Sequence, residues 1–416
     1  MEFGLFSQHH RPARSVADAY EEDLFEVVAA DQLGYREAWI SEHAFPAELF
    51  ICKAAALTRS IRLGPGVRPL AIHHPLQVVT EANACDQLTR GRYQFGFGLG
   101  GQLGGPRKLE QRGLGDDSQR RARMWEAIGF IRQAWASAEP FDFEGAFWQG
   151  TGITVQPPPY QFPHPPIAIS TGGSAETLEV AGREGFALLL GQNDDGRSVA
   201  EMLAGYSAAA AEAARLRPRD DVRLSRLVYV AERTDQAISD LRSAVGPQLE
   251  SERELVRQHL ESAAREGHEP GSDRFERDPV LRTGSRILAE LGADDPKALT
   301  LEALAESGYY LVGDPDTVAG HVRRLFDATG GFGTLLLLAG RDLAARDGRL
   351  RSLRLFMEQV APAVRDLRPP PTTPLAGAGV TGDGFQAEGG GQLFGTEPDA
   401  ARKRRPGSAV EREPRP

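Results

Sequence analysis

Three short segments carry side chains of the kinds that move protons or hold anions. In YREAWISEHAFPAELF, residues 35–50, an apolar run of Ala38, Trp39 and Ile40 stops at Ser41-Glu42-His43. An imidazole at a strand end accepts and returns a proton near neutral pH, the work of a general acid or base. The structural alternative is a histidine that only satisfies its own hydrogen bonds. Glu42 faces the other side of an alternating strand, so acid and imidazole are not automatically a dyad. In TGGSAET, residues 171–177, Gly172 and Gly173 precede Ser174 at an N-cap position, with Thr177 three residues on. Two hydroxyls and the free amides of a helix N-terminus then converge, which suits a phosphate, although an ordinary cap has the same sequence.

The third segment is GFGLGGQLGGPR, residues 96–107, where Gly96, Gly98 and Gly101 satisfy G-x-G-x-x-G. A dinucleotide fingerprint opens a helix directly from the first strand of a βαβ unit, but here further breakers follow. The glycines therefore read as a loop that lets backbone approach a flat ring or a phosphate. His73 and His74 stand before Pro75 without metal-ligand spacing and read as loop and capping residues. Cys52 and Cys85, 33 positions apart, read as reduced core residues. No G-x-S-x-G elbow and no P-loop occurs.

The frame that must position these residues follows from hydrophobic periodicity. A strand at 2–7, a helix from Ser15 to Leu33 and a C-capping Gly34 make one βα unit. The alternation continues with strands at 36–41, 60–67, 92–98, 166–171, 185–191, 223–232 and 331–340, with helices between them and a last helix at 348–367. Eight such strands predict an α/β fold, the (β/α)8 TIM barrel. Two insertions interrupt it, an irregular Pro-rich one at 138–166 and a charged helical one at 234–305 between strands seven and eight, long enough to cover the mouth or support a dimer. Residues 1–368 form the barrel domain, and the Pro- and Gly-rich segment 369–416 reads as a disordered tail whose ARKRRPG is a solvated appendage. In a barrel of this kind catalytic groups collect where strands end. His43, the glycine loop and TGGSAET follow strands two, four and five, on one mouth.

Composition narrows the class further. A net charge of −10 and a pI near 5.5 argue against a nucleic-acid or anionic-membrane partner. The start, MEFGLFSQHHR, lacks a secretory pattern, and no run reaches a membrane-spanning length, which points to a cytoplasmic protein.

Taken in order, MEFGLF, LGYREAWISEHAF, IRLGPGVRPLAIHHPLQVVTEANACDQLTRGRYQFGFGLGG, GGSAETLEVAGREG and YLVGDPDTVAGHVRRLFDATGGFGTLLLL resemble the bacterial luciferase-like flavin monooxygenases over most of residues 1–366. That family shares its fold with deazaflavin (F420)-dependent oxidoreductases. The resemblance implies that His43 does acid or base work near the flavin C4a atom. It implies that Gly66 and Val67 support the isoalloxazine ring, often through a non-prolyl cis bond. Ser174 and Thr177 match phosphate-binding hydroxyls, and Arg121 is similar to a flavin-contacting arginine. Three positions depart from the family: Ala44 replaces a second histidine, Leu99 stands where many members have a phosphate-binding arginine, with Arg107 as a substitute, and Gly98 replaces the reactive cysteine of luciferase. Gly98 then serves by backbone approach to the cofactor.

What this implies is a homodimeric monooxygenase using reduced FMN and O2 on a small organic substrate. A separate NAD(P)H:flavin reductase supplies the FMNH2, since no nicotinamide-binding domain is visible. The alternatives are an F420-dependent hydride-transfer enzyme and a catalytically silent flavin-binding subunit. Retention of His43 argues for an active chain.

Overall fold

The computed structural model describes residues 1–42, 46–100, 116–192, 195–269, 272, 278–372, 386–387 and 391–392. Strand β1 (Glu2–His10) leads into α1 (Val16–Leu33), where the Ser15 hydroxyl accepts the Asp18 amide. Gly34 ends that helix at φ 85°, a left-handed conformation that costs residues with a Cβ about 1–2 kcal/mol. The alternation continues through β2 (Glu37–Ile40), α2 (Ala47–Leu57), β3 (Arg62–Pro65), β4 (Arg68–Pro69), α3 (Pro75–Thr89), β5 (Phe95–Gly98) and α4 (Asp117–Ala136). After β6 (Phe141–Glu144) and β7 (Gln149–Ile153) come β8 (Ile167–Thr171), α5 (Ala175–Glu184), β9 (Ala187–Leu190), α6 (Gly196–Glu212) and β10 (Val222–Arg226). The chain then forms β11 (Val228–Val230), α7 (Thr234–Arg265), α8 (Pro279–Glu290), α9 (Leu301–Ser307), β12 (Leu311–Gly313), α10 (Pro315–Thr329), β13 (Thr334–Arg341) and α11 (Arg346–Leu355).

Nine strands share one sheet in the order β3-β2-β1-β13-β10-β9-β8-β5-β4, and every pair in it is parallel. Only Gly66 and Val67 separate β3 from β4, so the two ends of the sheet are halves of one interrupted strand. A parallel bridge joins Leu63 of β3 to Tyr93, two residues before β5. The result is the expected (β/α)8 barrel, nearly closed, with helices outside.

Three details depart from expectation. The third strand breaks at Gly66-Val67, whose peptide is cis, as the family resemblance implied. The seventh splits: β10 stays in the barrel, while β11 leaves it to pair with β12 in register Val228 to Leu311. The insertion at 138–166 is not wholly irregular, because β6 and β7 form an antiparallel hairpin. The described residues of the insertion at 234–305 are mainly helical, as expected, and Leu241, Val245 and Leu249 of α7 pack with Leu304, Tyr309 and Leu338. The chain divides into two units, Met1–Ala378 and Gly379–Pro416. Most of the expected tail, ARKRRPG included, lies outside the described residues. In the second unit Gln386–Ala387 pairs antiparallel with Gly391–Gln392.

The barrel interior is filled in layers. Trp39, Ala168, Ala187, Leu189 and Leu336 cluster in the middle, with Phe6 and Val67 against them. Beneath them, at the start of β2, Glu37 takes the Arg223 guanidinium from across the barrel at 3.0 Å. It also accepts the Trp39 indole N–H at 2.8 Å. A cavity of about 230 Å³ opens beside this pair and is lined by strand starts such as Ile167 and Ala187. That end is the structural pole of the fold. Packing around Trp39 leaves no room at Gly96, where a Cβ would lie 2.1 Å from the Pro65 carbonyl oxygen and 2.8 Å from the Trp39 ring. Among the described residues no helix is long and apolar enough to cross a membrane.

Candidate active site

Of the predicted site residues, His43 lies outside the described residues, together with Ala44, Phe45 and the loop positions Gly101 and Arg107. The other six fall into two groups on the same mouth. Gly66, Val67 and Gly98 form the first. A Cβ on Gly66 would stand 2.8 Å from Phe6 Cε2, and one on Gly98 would stand 2.7 Å from Val67 Cγ2 and 2.6 Å from Ser170 Oγ. Glycine at both positions keeps the backbone flush where the interrupted strand meets β5. Among the described residues the next helix after β5 begins at Asp117, and Gly101 of the G-x-G-x-x-G pattern lies outside them.

Arg121, Ser174 and Thr177 form the second group. Arg121, in the first turns of α4, donates through Nη1 to Ser174 Oγ and Thr177 Oγ1, each at 3.3 Å. Ser174 occupies the N-cap position of α5, yet its hydroxyl accepts no backbone amide, so it is not an ordinary cap. Thr177 is buried, and Arg121 and Ser174 are half-buried. On the far edge of the guanidinium, Glu176 lies 3.7 Å from Nε while accepting the Trp125 indole N–H at 2.8 Å. A cation, two hydroxyls and an uncapped helix N-terminus therefore point at one place, which suits an anion with several acceptor oxygens. Ser170, against Gly98, precedes Ser174 by four residues, so β8 links the two groups.

A third constellation was not foreseen. Buried Arg68, which follows the cis peptide by one residue, is held by three carboxylates. Its Nη1 lies 3.2 Å from Glu42 and 3.0 Å from Glu48, and Nη2 lies 2.6 Å from Glu81. Burial, with the nearby Glu42 and Glu81 carboxylates, pushes Glu48 up to about 6 against the pull of Arg68. Glu42 also meets His73 Nε2 at 3.2 Å, while His74 caps α3 by accepting the Leu76 amide, the loop and capping roles expected for that pair. Its carboxylate is thus committed to Arg68 and His73. No cluster of metal-binding side chains occurs among the described residues. Ser41, two positions before His43, is fully buried, and its hydroxyl has no hydrogen-bond partner among the described residues, an orphan polar group at the strand end. The only sequence signal for Arg68 was its place directly after the glycine-containing strand break.

The 234–305 insertion reaches this mouth. Arg282 and Arg286 of α8 line a 600 Å³ cavity together with Gly172, Gly173 and Met202. Burial raises the Glu290 carboxyl of α8, with Asp195 adding to the rise and Arg226 opposing it. Arg341, at the end of β13, donates to Gln248 of α7.

Fold and site together describe a (β/α)8 barrel whose mouth sets a donor group that suits an anion beside a glycine-lined strand break. The luciferase-like monooxygenase family model matches residues 1–331. The chain is 32% identical over 344 residues to 4-hydroxyprotoasukamycin monooxygenase of Streptomyces nodosus subsp. asukaensis, covering 80% of this chain and 83% of that one. It is 28% identical over 376 residues to limonene 1,2-monooxygenase of Rhodococcus erythropolis, with 87% and 86% covered. A solved structure, the FMN-bound oxygenating constituent of the type II Baeyer-Villiger enzyme 3,6-diketocamphane monooxygenase of Pseudomonas putida, aligns with a TM-score of 0.72 at 26% identity, over 89% of this chain and 99% of that one. This protein belongs to the luciferase-like monooxygenase family and is an oxidoreductase.

Proposed function

We propose that the protein binds reduced FMN delivered by a separate NAD(P)H:flavin reductase and uses O2 to oxygenate a small organic substrate, acting as a cytoplasmic homodimer. The observation that carries this reading is the convergence of Arg121, Ser174 and Thr177 on an uncapped helix N-terminus. That donor set fits a phosphate dianion, and the flush backbone at Gly66, Val67 and Gly98 fits the face of a flat ring. Two relatives named as monooxygenases and a solved relative holding FMN support the cofactor and the reaction class. The description of that solved relative as an oxygenating constituent supports a reductase on another chain.

When bound, reduced FMN supplies the two electrons with which one atom of O2 enters the substrate and the other leaves as water. Residues 1–368 act as the catalytic domain. Arg121, Ser174 and Thr177 hold the phosphate, and Gly66, Val67 and Gly98 seat the ring. His43 handles a proton at the end of β2, and α7 and α8 limit access of water to the mouth.

Anaerobic titration should show saturable binding of reduced FMN. With NADH, a flavin reductase and O2 added, the protein should release hydrogen peroxide even without an organic substrate. Tight F420 binding with no FMN binding would overturn the reading. His43→Ala should slow oxygenation far more than it weakens FMN binding; equal rates would remove His43 from the chemistry. Arg121→Met should raise the Kd for FMN roughly 10- to 100-fold, the worth of charge-assisted hydrogen bonds, and leave phosphate-free riboflavin unaffected. Equal loss for both flavins would place Arg121 away from the phosphate.

A further inference from the structure

The two cysteines, 33 positions apart in sequence, meet in the fold. Cys52 on α2 and Cys85 on α3 are free thiols with their sulfurs 3.5 Å apart, in hydrogen-bond contact. Cys85 is buried, whereas Cys52 is half-buried and within reach of a small solute. Each lies one helical turn beyond an anchor of Arg68: Glu48 precedes Cys52 by four residues, and Glu81 precedes Cys85 by four. We infer that Cys52 and Cys85 are a peroxide-driven modification site that closes into a reversible disulfide between α2 and α3.

The two thiols are unequal in a way that suits attack and resolution. The hydrogen bond between the two thiols holds Cys52 below the ordinary thiol value, although burial and Glu48 act the other way. That same hydrogen bond, together with burial, pushes Cys85 up. The accessible partner is therefore the one that forms thiolate, the reactive species. In the first step the Cys52 thiolate attacks hydrogen peroxide. The O–O bond breaks, Cys52 becomes a sulfenic acid, and the departing hydroxide takes a proton to become water. In the second step Cys85 attacks the Cys52 sulfur, the S–O bond breaks, and the hydroxide leaves with the Cys85 proton as a second water. Both sulfurs are oxidised to the disulfide, and one peroxide is reduced to two waters. The link pins together the two helices that hold Arg68 beside the strand break.

The test is peptide mapping of the full chain after exposure to a small excess of hydrogen peroxide. Both thiols should disappear together from a thiol titration, a linked peptide pair containing Cys52 and Cys85 should appear under non-reducing conditions, and dithiothreitol should restore both thiols. Cys85→Ala, which keeps the buried position apolar, should leave Cys52 trapped by dimedone as a sulfenic acid. Cys52→Ser should leave Cys85 reduced. A wild-type protein that accumulates dimedone-labelled Cys52 beside a free Cys85, or one that links two chains through Cys52, would overturn the inference.

Discussion

Arg68→Met should cost about 3–5 kcal/mol of stability at pH 8, and clearly less at pH 5. The guanidinium faces Glu42, Glu48 and Glu81, and the first two of these are buried. Removing it leaves Glu48 with no cation beside it and Glu42 with His73 alone, and the penalty of an unpaired buried charge exceeds that of losing an exposed pair. The pH dependence follows from Glu48. Its carboxyl stands at about 6 in the folded protein, above an ordinary value of 4.5. A raised carboxyl contributes stability that is fully present below its unfolded value and lost as pH rises through the folded one, here on the order of 2 kcal/mol. Without Arg68 the rise is larger, so the variant loses most above that window and recovers as Glu48 takes up a proton. Urea unfolding at both pH values measures this, and an equal loss at pH 5 and pH 8 would show that Arg68 acts by packing alone. Arg68→Lys should recover only part of the loss, because one ammonium cannot match the fork that spans three carboxylates. The network also bears on the site, since Glu42 precedes His43 and Arg68 follows the cis peptide.

What could be read in the sequence was whatever chain-local patterns encode. Strand and helix alternation is local, so the barrel and its eight-fold count were legible. So were the hydroxyls of Ser174 and Thr177, because their spacing at a helix start has meaning without the rest of the fold. The family resemblance, not spacing, supplied Arg121, and the structure places it 3.3 Å from both hydroxyls. The departure of β11 was hidden because RLSRLVYVAE runs through Arg226 and Leu227 without a turn residue; its partner, β12, lies some eighty residues on. The Arg68 cluster, the Cys52 and Cys85 contact and the Glu37 to Arg223 pair are all made between separate elements. Nothing in one-dimensional spacing says which charged residue faces inward across a barrel. Buried charges are also the residues that composition rules assign to the surface, so the rule fails where these side chains are paired.

Arg223→Met tests the other pole of the barrel, and it should cost about 3–5 kcal/mol by leaving Glu37 buried and unpaired. In the folded protein burial alone would raise the Glu37 carboxyl, but the Arg223 charge and the hydrogen bonds from Arg223, Trp39 and Gln94 outweigh it and hold the carboxyl below its ordinary value. Such a group contributes stability that is present above its unfolded value and lost as pH falls through the lower folded one. In Arg223→Met that dependence should reverse, because Glu37 is then favoured in its protonated form and acid restores stability. The double variant Glu37→Gln with Arg223→Met should regain most of the loss, since the amide oxygen still accepts the Trp39 indole N–H and neither member of the pair is then charged. If the double variant is no more stable than the single one, the pair matters for its packing volume instead. FMN binding by the folded fraction should stay within about twofold of wild type, because strand starts carry stability and strand ends carry the site. A large loss of binding with the native fold intact would mean that the floor and the mouth of this barrel are coupled.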